Sequence, residues 1–154
     1  MTERCLMSVS NLSFSFLDVD SGEASDLPRI EGSFIAYTPE QWREGSGDGI
    51  FTCTDDEKGV ADLYLIDDGK GKVSVRYNHR KNGERSSVEF YSVGDRSRID
   101  TILDVGEDQF VPSGSLIDPR LAWKVLNEFV FSPHEIPQSV EWISSQDVNW
   151  PQDW

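Results

Sequence analysis

Cysteine, histidine and long apolar runs are all scarce in this 154-residue chain. The two cysteines, Cys5 and Cys53, allow at most one bridge. In a cytoplasmic chain such isolated thiols stay reduced, which excludes a disulfide framework. The two histidines, His79 and His134, have no further ligand at zinc spacing in the sequence. Neither sits in a recognisable nucleophile–base pattern, so no catalytic, cofactor or metal residue is predicted. No apolar run approaches the roughly 20 residues of a membrane span. Met1-Thr2-Glu3-Arg4 lacks the basic region and apolar stretch of a signal peptide. The expected location is therefore cytoplasmic.

Positive charge is scarce too. Fourteen Lys and Arg face 28 Asp and Glu, a formal net charge of −14. A field of that sign repels phosphate backbones and anionic membranes, which argues against direct nucleic-acid or membrane binding. It attracts basic proteins and speeds their capture. The alternative reading of the same charge is solubility alone.

What the chain does have is aromatic side chains, 11% of residues against a modest 37% apolar. A single domain over residues 1–154 with a small Phe-, Trp- and Tyr-rich core follows. At this length roughly 70% of the unfolded surface is buried, without a disulfide or metal. Residues 5–17 read as a half-buried strand, with Leu12, Phe14 and Phe16 alternating against Ser13 and Ser15. Residues 18–28 read as a loop and residues 30–37 as a second strand. Thr38-Pro39-Glu40-Gln41 opens a short helix that Gly45-Ser46-Gly47-Asp48-Gly49 stops.

The middle reads as a β-meander with strands over residues 60–66, 73–78 and 87–93. Asn82-Gly83 is the preferred pair for a two-residue type I′ turn. That turn sets Tyr77 against Val88, Val75 against Phe90 and Arg76 against Glu89. A three-residue loop around Asp68-Gly69-Lys70 sets Leu65 against Val73 and Leu63 against Val75. Both registers put the apolar residues on one face. Asp118 then caps a helix with Pro119 at its first position. Its Ala122, Val125, Leu126 and Phe129 recur at 3-4 spacing and would cover the apolar face of the meander. Pro133 and Pro137 end the helix, and Val140 and Trp142 alternate as a short closing strand. Residues 144–154 form a polar tail that carries Trp150 and Trp154.

Single motifs weigh little. Asp18-Val19-Asp20-Ser21-Gly22-Glu23 has its glycine one place too early for a calcium loop and lacks the glutamate that should close it. Gly69-Lys70-Gly71-Lys72 lacks phosphate-loop spacing and is a turn. Asp55-Asp56-Glu57, Asp67-Asp68 and Glu107-Asp108 are either solvated turns that protect strand edges or a docking surface for a basic partner. Trp150 and Trp154 either fold back onto the domain or anchor a partner. Trp123 and Trp142 belong to the core or its edge.

Taken together and in order, several segments carry a resemblance. They are Gly59-Val60, Tyr91-Ser92-Val93-Gly94-Asp95, Phe110-Val111-Pro112, Leu116-Ile117-Asp118-Pro119 with Ala122, Leu126 and Phe129, and Pro137-Gln138-Ser139-Val140-Glu141-Trp142. Over roughly residues 59–143 they resemble a family of immunity proteins from bacterial polymorphic toxin systems. That family includes inhibitors of secreted toxins that deaminate cytosine in DNA. The first 50 residues and the longer tail after Trp142 depart from its pattern.

The sequence thus predicts an α+β fold: an antiparallel sheet, meander-like, with a C-terminal helix packed on one face. The resemblance implies a non-enzymatic immunity protein that binds a cognate toxin C-terminal domain and occludes its active site. A basic, nucleic-acid-targeting toxin, deaminase first and nuclease second, suits the acidic charge. Expected partner contacts, chosen as surface positions and not carried over from the family, are Asp67, Asp68, Glu89, Tyr91, Asp95, Glu107, Asp108 and Trp154. The rival readings are an adaptor domain that adds a partner strand to its sheet edge and a small hydrolase using His79 or His134.

Overall fold

The computed structural model describes residues 12–17, 19–44, 48–106 and 109–151. The chain opens with β1 (Leu12–Phe16) and β2 (Val19–Gly22), then α1 (Leu27–Ile35) and α2 (Pro39–Glu44). The strands β3 (Asp48–Asp55), β4 (Gly59–Asp67), β5 (Val73–Arg80) and β6 (Val88–Val93) follow. A small hairpin, β7 (Ile102–Gly106) and β8 (Gln109–Pro112), leads to β9 (Leu116–Ile117), α3 (Pro119–Phe131) and β10 (Glu141–Ser144). Among the described residues eight strands form one antiparallel sheet in the order β10-β6-β5-β4-β3-β1-β2, with β9 beside the start of β5. The expected α+β class, with a meander at its centre and α3 on one face, is what the chain adopts.

Alternation decides the faces. Phe14 pairs with Phe51, Phe51 with Leu63, Leu63 with Tyr77 and Tyr77 with Phe90, so one row of apolar side chains crosses five strands. α1 and α3 cover that row. α3 turns Ala122, Val125, Leu126, Phe129 and Val130 inward, and α1 contributes Leu27, Ile30 and Phe34. Trp42 of α2 is fully buried against Phe16 and Phe34, and its indole N–H donates to the Ser33 carbonyl at 3.1 Å. That bond satisfies the one polar atom its burial would otherwise strand. The N-cap of α3 is as expected: the Asp118 carboxylate accepts from the Arg120 amide at 2.8 Å, with Pro119 in the first turn.

The opposite face carries a second, smaller cluster of Ile66, Tyr91 and Val111, with Val105, Leu116, Ile143 and Trp150 packed around it. The β7–β8 hairpin and residues 145–150 therefore cover one end of the face that α3 does not. The Trp150 ring lies 5.8 Å from that of Tyr91, centroid to centroid, so this part of the tail folds back onto the domain.

Several sequence expectations need correction. Residues 30–37 are not a strand: they fall mostly in α1, where Ile30 and Phe34 sit one helical turn apart on the buried face. The segment 18–28 is not a plain loop: Asp18 lies outside the described residues, and residues 19–28 hold β2, a 3-10 turn at Ala24–Asp26 and the start of α1. β3 and β7 were not foreseen, whereas β8 falls on Phe110-Val111-Pro112, where the resemblance implies a strand ending in proline. Both meander hairpins are offset by two residues. Leu65 pairs with Val75 and Asp67 with Val73, leaving a five-residue loop over 68–72. Tyr77 pairs with Phe90 and Asn78 with Glu89, leaving a seven-residue loop over 81–87. A two-residue slip keeps every side chain on its face, so the expected apolar and polar faces hold although the partners change. Arg76 now lies opposite Tyr91 and reaches Glu89 diagonally, 3.9 Å from Nε to the carboxylate.

Candidate functional site

Strand direction gives the sheet two ends. At one end lie the β4–β5 loop, the β6–β7 connection and the start of α3. At the other lie the β3–β4 turn, the β5–β6 loop and the exit of α3.

Of the five predicted contact residues that are described, Asp67, Asp68, Tyr91 and Asp95 lie towards the first end, and most are structural there. Asp67 is only 9% exposed and accepts a short hydrogen bond from the Tyr37 hydroxyl. Burial pushes its carboxyl above the usual range, against the hydrogen bonds from Tyr37 and the Gly69 backbone. Asp68 ties its own loop, accepting from the Lys70 and Lys72 amides at 2.8 and 3.0 Å. Asp95 is exposed and caps a 3-10 turn through the Ser97 amide and hydroxyl, which hold its carboxyl low. Tyr91 is buried in the smaller cluster, where burial raises its hydroxyl. Glu89 is half-buried on the sheet face beside Arg76, whose guanidinium also stacks 4.2 Å over the Tyr64 ring. Glu107, Asp108 and Trp154 lie outside the described residues.

The segments that carry the sequence resemblance also turn out to hold the fold. Ser92 Oγ lies 3.1 Å from the Val75 amide, accepting from it, and donates to the Ser115 carbonyl at 2.8 Å. Ser115 in turn contacts Ser74 at 2.7 Å and donates to the Pro112 carbonyl at 2.6 Å. Ser74, Ser92 and Ser115 are fully buried, so this network joins β5, β6 and the segment after β8 without an unsatisfied hydroxyl. Gly94 sits so close to the Leu116 carbonyl that a Cβ would collide with it.

The second end is different in kind. Phe131, the last residue of α3, is 60% exposed, and Val88 at the start of β6 is 52% exposed. Phe131 borders two depressions. One, a cavity of about 150 Å³, is walled by Cys53, Asp55, Lys58, Phe131, His134 and Glu135. The other, an apolar groove of about 420 Å³, runs between Asn127, Phe131, Ile136 and Pro137, with Glu128 and Glu135 on its rim. The β3–β4 turn adds Asp55 and Lys58 to the wall of the cavity. Asp55 accepts from the Glu57 and Lys58 amides at 2.7 and 2.9 Å, and those bonds hold its carboxyl below the usual range. Among the described residues the ion pairs are Arg29–Asp26, Arg76–Glu89 and Arg96–Glu141, so the carboxylates of this end form none, although Lys58 lines the cavity and Lys124 the groove beside them.

His79 and His134, 55 positions apart in the chain, meet here. His134 Nδ1 lies 3.3 Å from His79 Nε2, which is also 3.2 Å from the Lys58 carbonyl. Both rings are half-buried. Cys53 shares the cavity with His134, but burial, with the Asp62 carboxylate nearby, pushes its thiol up to about 12. That is the reverse of an activated nucleophile. Among the described residues no group of three or more His, Cys, Asp or Glu is placed to hold a metal ion.

Sequence reasoning missed Phe131 and the histidine contact. For Phe131 the signal was present: it falls at helical spacing from Lys124, Asn127 and Glu128, on the polar side of α3, away from the Phe129 stripe. For the histidines, 55 positions apart, no local signal exists. Among the described residues no helix is long and apolar enough to cross a membrane. No family model matches the chain, and no curated protein and no solved structure matches it either.

Proposed function

We propose that the chain is an immunity protein that binds a cognate, basic toxin domain and occludes its active site, acting without chemistry of its own. The observation that carries the reading is the α3 exit: an aromatic side chain left on the polar side of a helix, flanked by an apolar groove with Glu128 and Glu135 on its rim. Interface hot spots combine these features, an aromatic anchor for affinity and surrounding polar groups for orientation. The net charge of −14 adds long-range attraction for a partner whose own cleft must bind phosphate-rich substrate. A nucleic-acid deaminase or nuclease domain fits that description. The resemblance over residues 59–143 supports the same reading. Of the contacts expected from sequence, Asp68, Glu89 and Asp95 remain accessible, whereas Asp67 and Tyr91 are turned inward.

The test is co-expression with the C-terminal domain of the protein encoded beside this one. A one-to-one complex and rescue of growth support the proposal. Two folded proteins that neither associate nor rescue would end it for that pair. A second reading, an adaptor that adds a partner strand, rests on β10, which among the described residues pairs only with β6 and so forms one edge of the sheet. Binding that survives loss of Phe131 but not a proline within β10 would favour the adaptor.

A further inference from the structure

We propose that His79 and His134 form a proton-operated latch that holds the loop after α3 against the β3–β4 turn, so that acidification loosens the docking end around Phe131. The inference rests on the reading of that end as a docking surface and names its regulation.

The geometry is specific. His79 Nε2 is 3.2 Å from the Lys58 carbonyl, which can only accept, so Nε2 carries the hydrogen. The same nitrogen faces His134 Nδ1 at 3.3 Å, so Nδ1 must be the unprotonated acceptor and His134 the neutral Nε2–H tautomer. In this state one N–H is shared between the turn carbonyl and the second ring. It joins β5, the β3–β4 turn and the loop that carries Pro133, His134 and Glu135. Protonation of His134 places a second N–H on Nδ1, pointing at the first. Two donors then face each other and the contact becomes repulsive.

The surroundings set the direction of the switch. Asp55 and Lys58 face the pair from the turn, Glu135 from the loop itself, and Cys53 and Tyr77 from the sheet. Burial first, then His79 and Lys58, hold His134 below its ordinary value of 6.5, and Asp55 opposes them in part. A histidine lowered on folding binds more protons when unfolded. Its contribution is therefore intact above pH 6.5 and declines as pH falls below that value towards the folded-state value. Release stays local, because the Tyr77 hydroxyl still donates to the Pro133 carbonyl at 3.0 Å and anchors the loop from the sheet.

The test uses the free, full-length chain, so it can fail while partner binding at neutral pH stands, or succeed where no toxin binds. Side-chain NMR follows both histidines between about pH 7.5 and pH 5 in the wild type. His134→Asn is the matching variant, because its side-chain oxygen replaces Nδ1 as an acceptor that cannot be protonated in this range. The latch predicts that protonation of His134 moves the His79 ring signals and the amides of Lys58, Glu135 and Phe131 in the same step. It also predicts that His134→Asn removes at least half of the wild type's fall in Tm over that pH interval. Independent titration of the two rings, with unmoved loop amides, would overturn the proposal from the wild-type spectra alone. An unchanged Tm profile in a folded His134→Asn variant would overturn it too.

Discussion

Phe129 and Phe131 lie two residues apart on α3, and removing each should produce opposite phenotypes. Phe129 is fully buried against the sheet, its ring 6.1 Å from that of Tyr77, centroid to centroid. Phe129→Ala should cost about 3–5 kcal/mol of folding stability, the usual loss for a truncated core aromatic. Phe131 is 60% exposed, so Phe131→Ala should change folding by less than about 0.5 kcal/mol. In a complex the balance reverses. An aromatic side chain presents roughly 200 Å², so covering the exposed part of Phe131 removes about 120 Å² from water. At about 25 cal/mol per Å² this is worth about 3 kcal/mol, which corresponds to a loss of affinity of about 100-fold on truncation. Urea unfolding measures the first quantity and calorimetric titration with the toxin domain the second. A Phe131→Ala variant that loses several kcal/mol of stability would show that the ring belongs to the core. One that is stable and binds as tightly as wild type would remove the α3 exit from the interface.

Three further outcomes test the physical account of the fold. Gly59 has φ +100°, and a Cβ there would collide with the Arg80 carbonyl. Gly59→Ala should therefore lower stability by more than about 2 kcal/mol in urea unfolding. Asp118→Ala removes the acceptor for the Arg120 amide and should cost about 1 kcal/mol in the same assay, with far-UV circular dichroism largely retained. Asp67→Asn keeps an acceptor for Tyr37 and removes a charge that burial disfavours. A carboxyl raised on folding weakens the native state once pH exceeds its ordinary value of 3.8, and most fully above its folded-state value. The variant's Tm should equal or exceed that of wild type at neutral pH. Any advantage should shrink as the pH is lowered towards 3.8, and a clear loss of Tm at neutral pH would contradict the assignment.

The sequence was most legible where periodicity and capping agree. Asp118-Pro119 with the Ala122–Phe129 stripe specified α3 nearly to the residue, and alternation specified which faces of β1, β4 and β5 are buried. The hairpin registers were less legible because turn chemistry is not a unique code. Asn82 does not close a two-residue turn: its amide reaches across to donate to the Asp56 carbonyl at 2.7 Å, holding the longer loop against the β3–β4 turn. α1 was misread because Ile30, Phe34, Ile35 and Tyr37 are residue types that strands favour, and only burial against α3 and the aromatic cluster decides for helix. Acidic positions near turns look alike in sequence. Asp67 binds Tyr37 and Asp68 binds its own loop, whereas Asp55, with the same turn-capping role, borders the Phe131 depressions. The meeting of His79 and His134 depends on α3 running the length of the sheet, which no local pattern encodes.

The most direct test of the central claim is calorimetric titration of this chain with the C-terminal domain of the neighbouring gene's product, at low and at high salt. The account predicts a one-to-one complex whose affinity falls as salt rises, as expected for an acidic surface meeting a basic cleft. Two folded proteins that show no heat of binding at either salt concentration would contradict it.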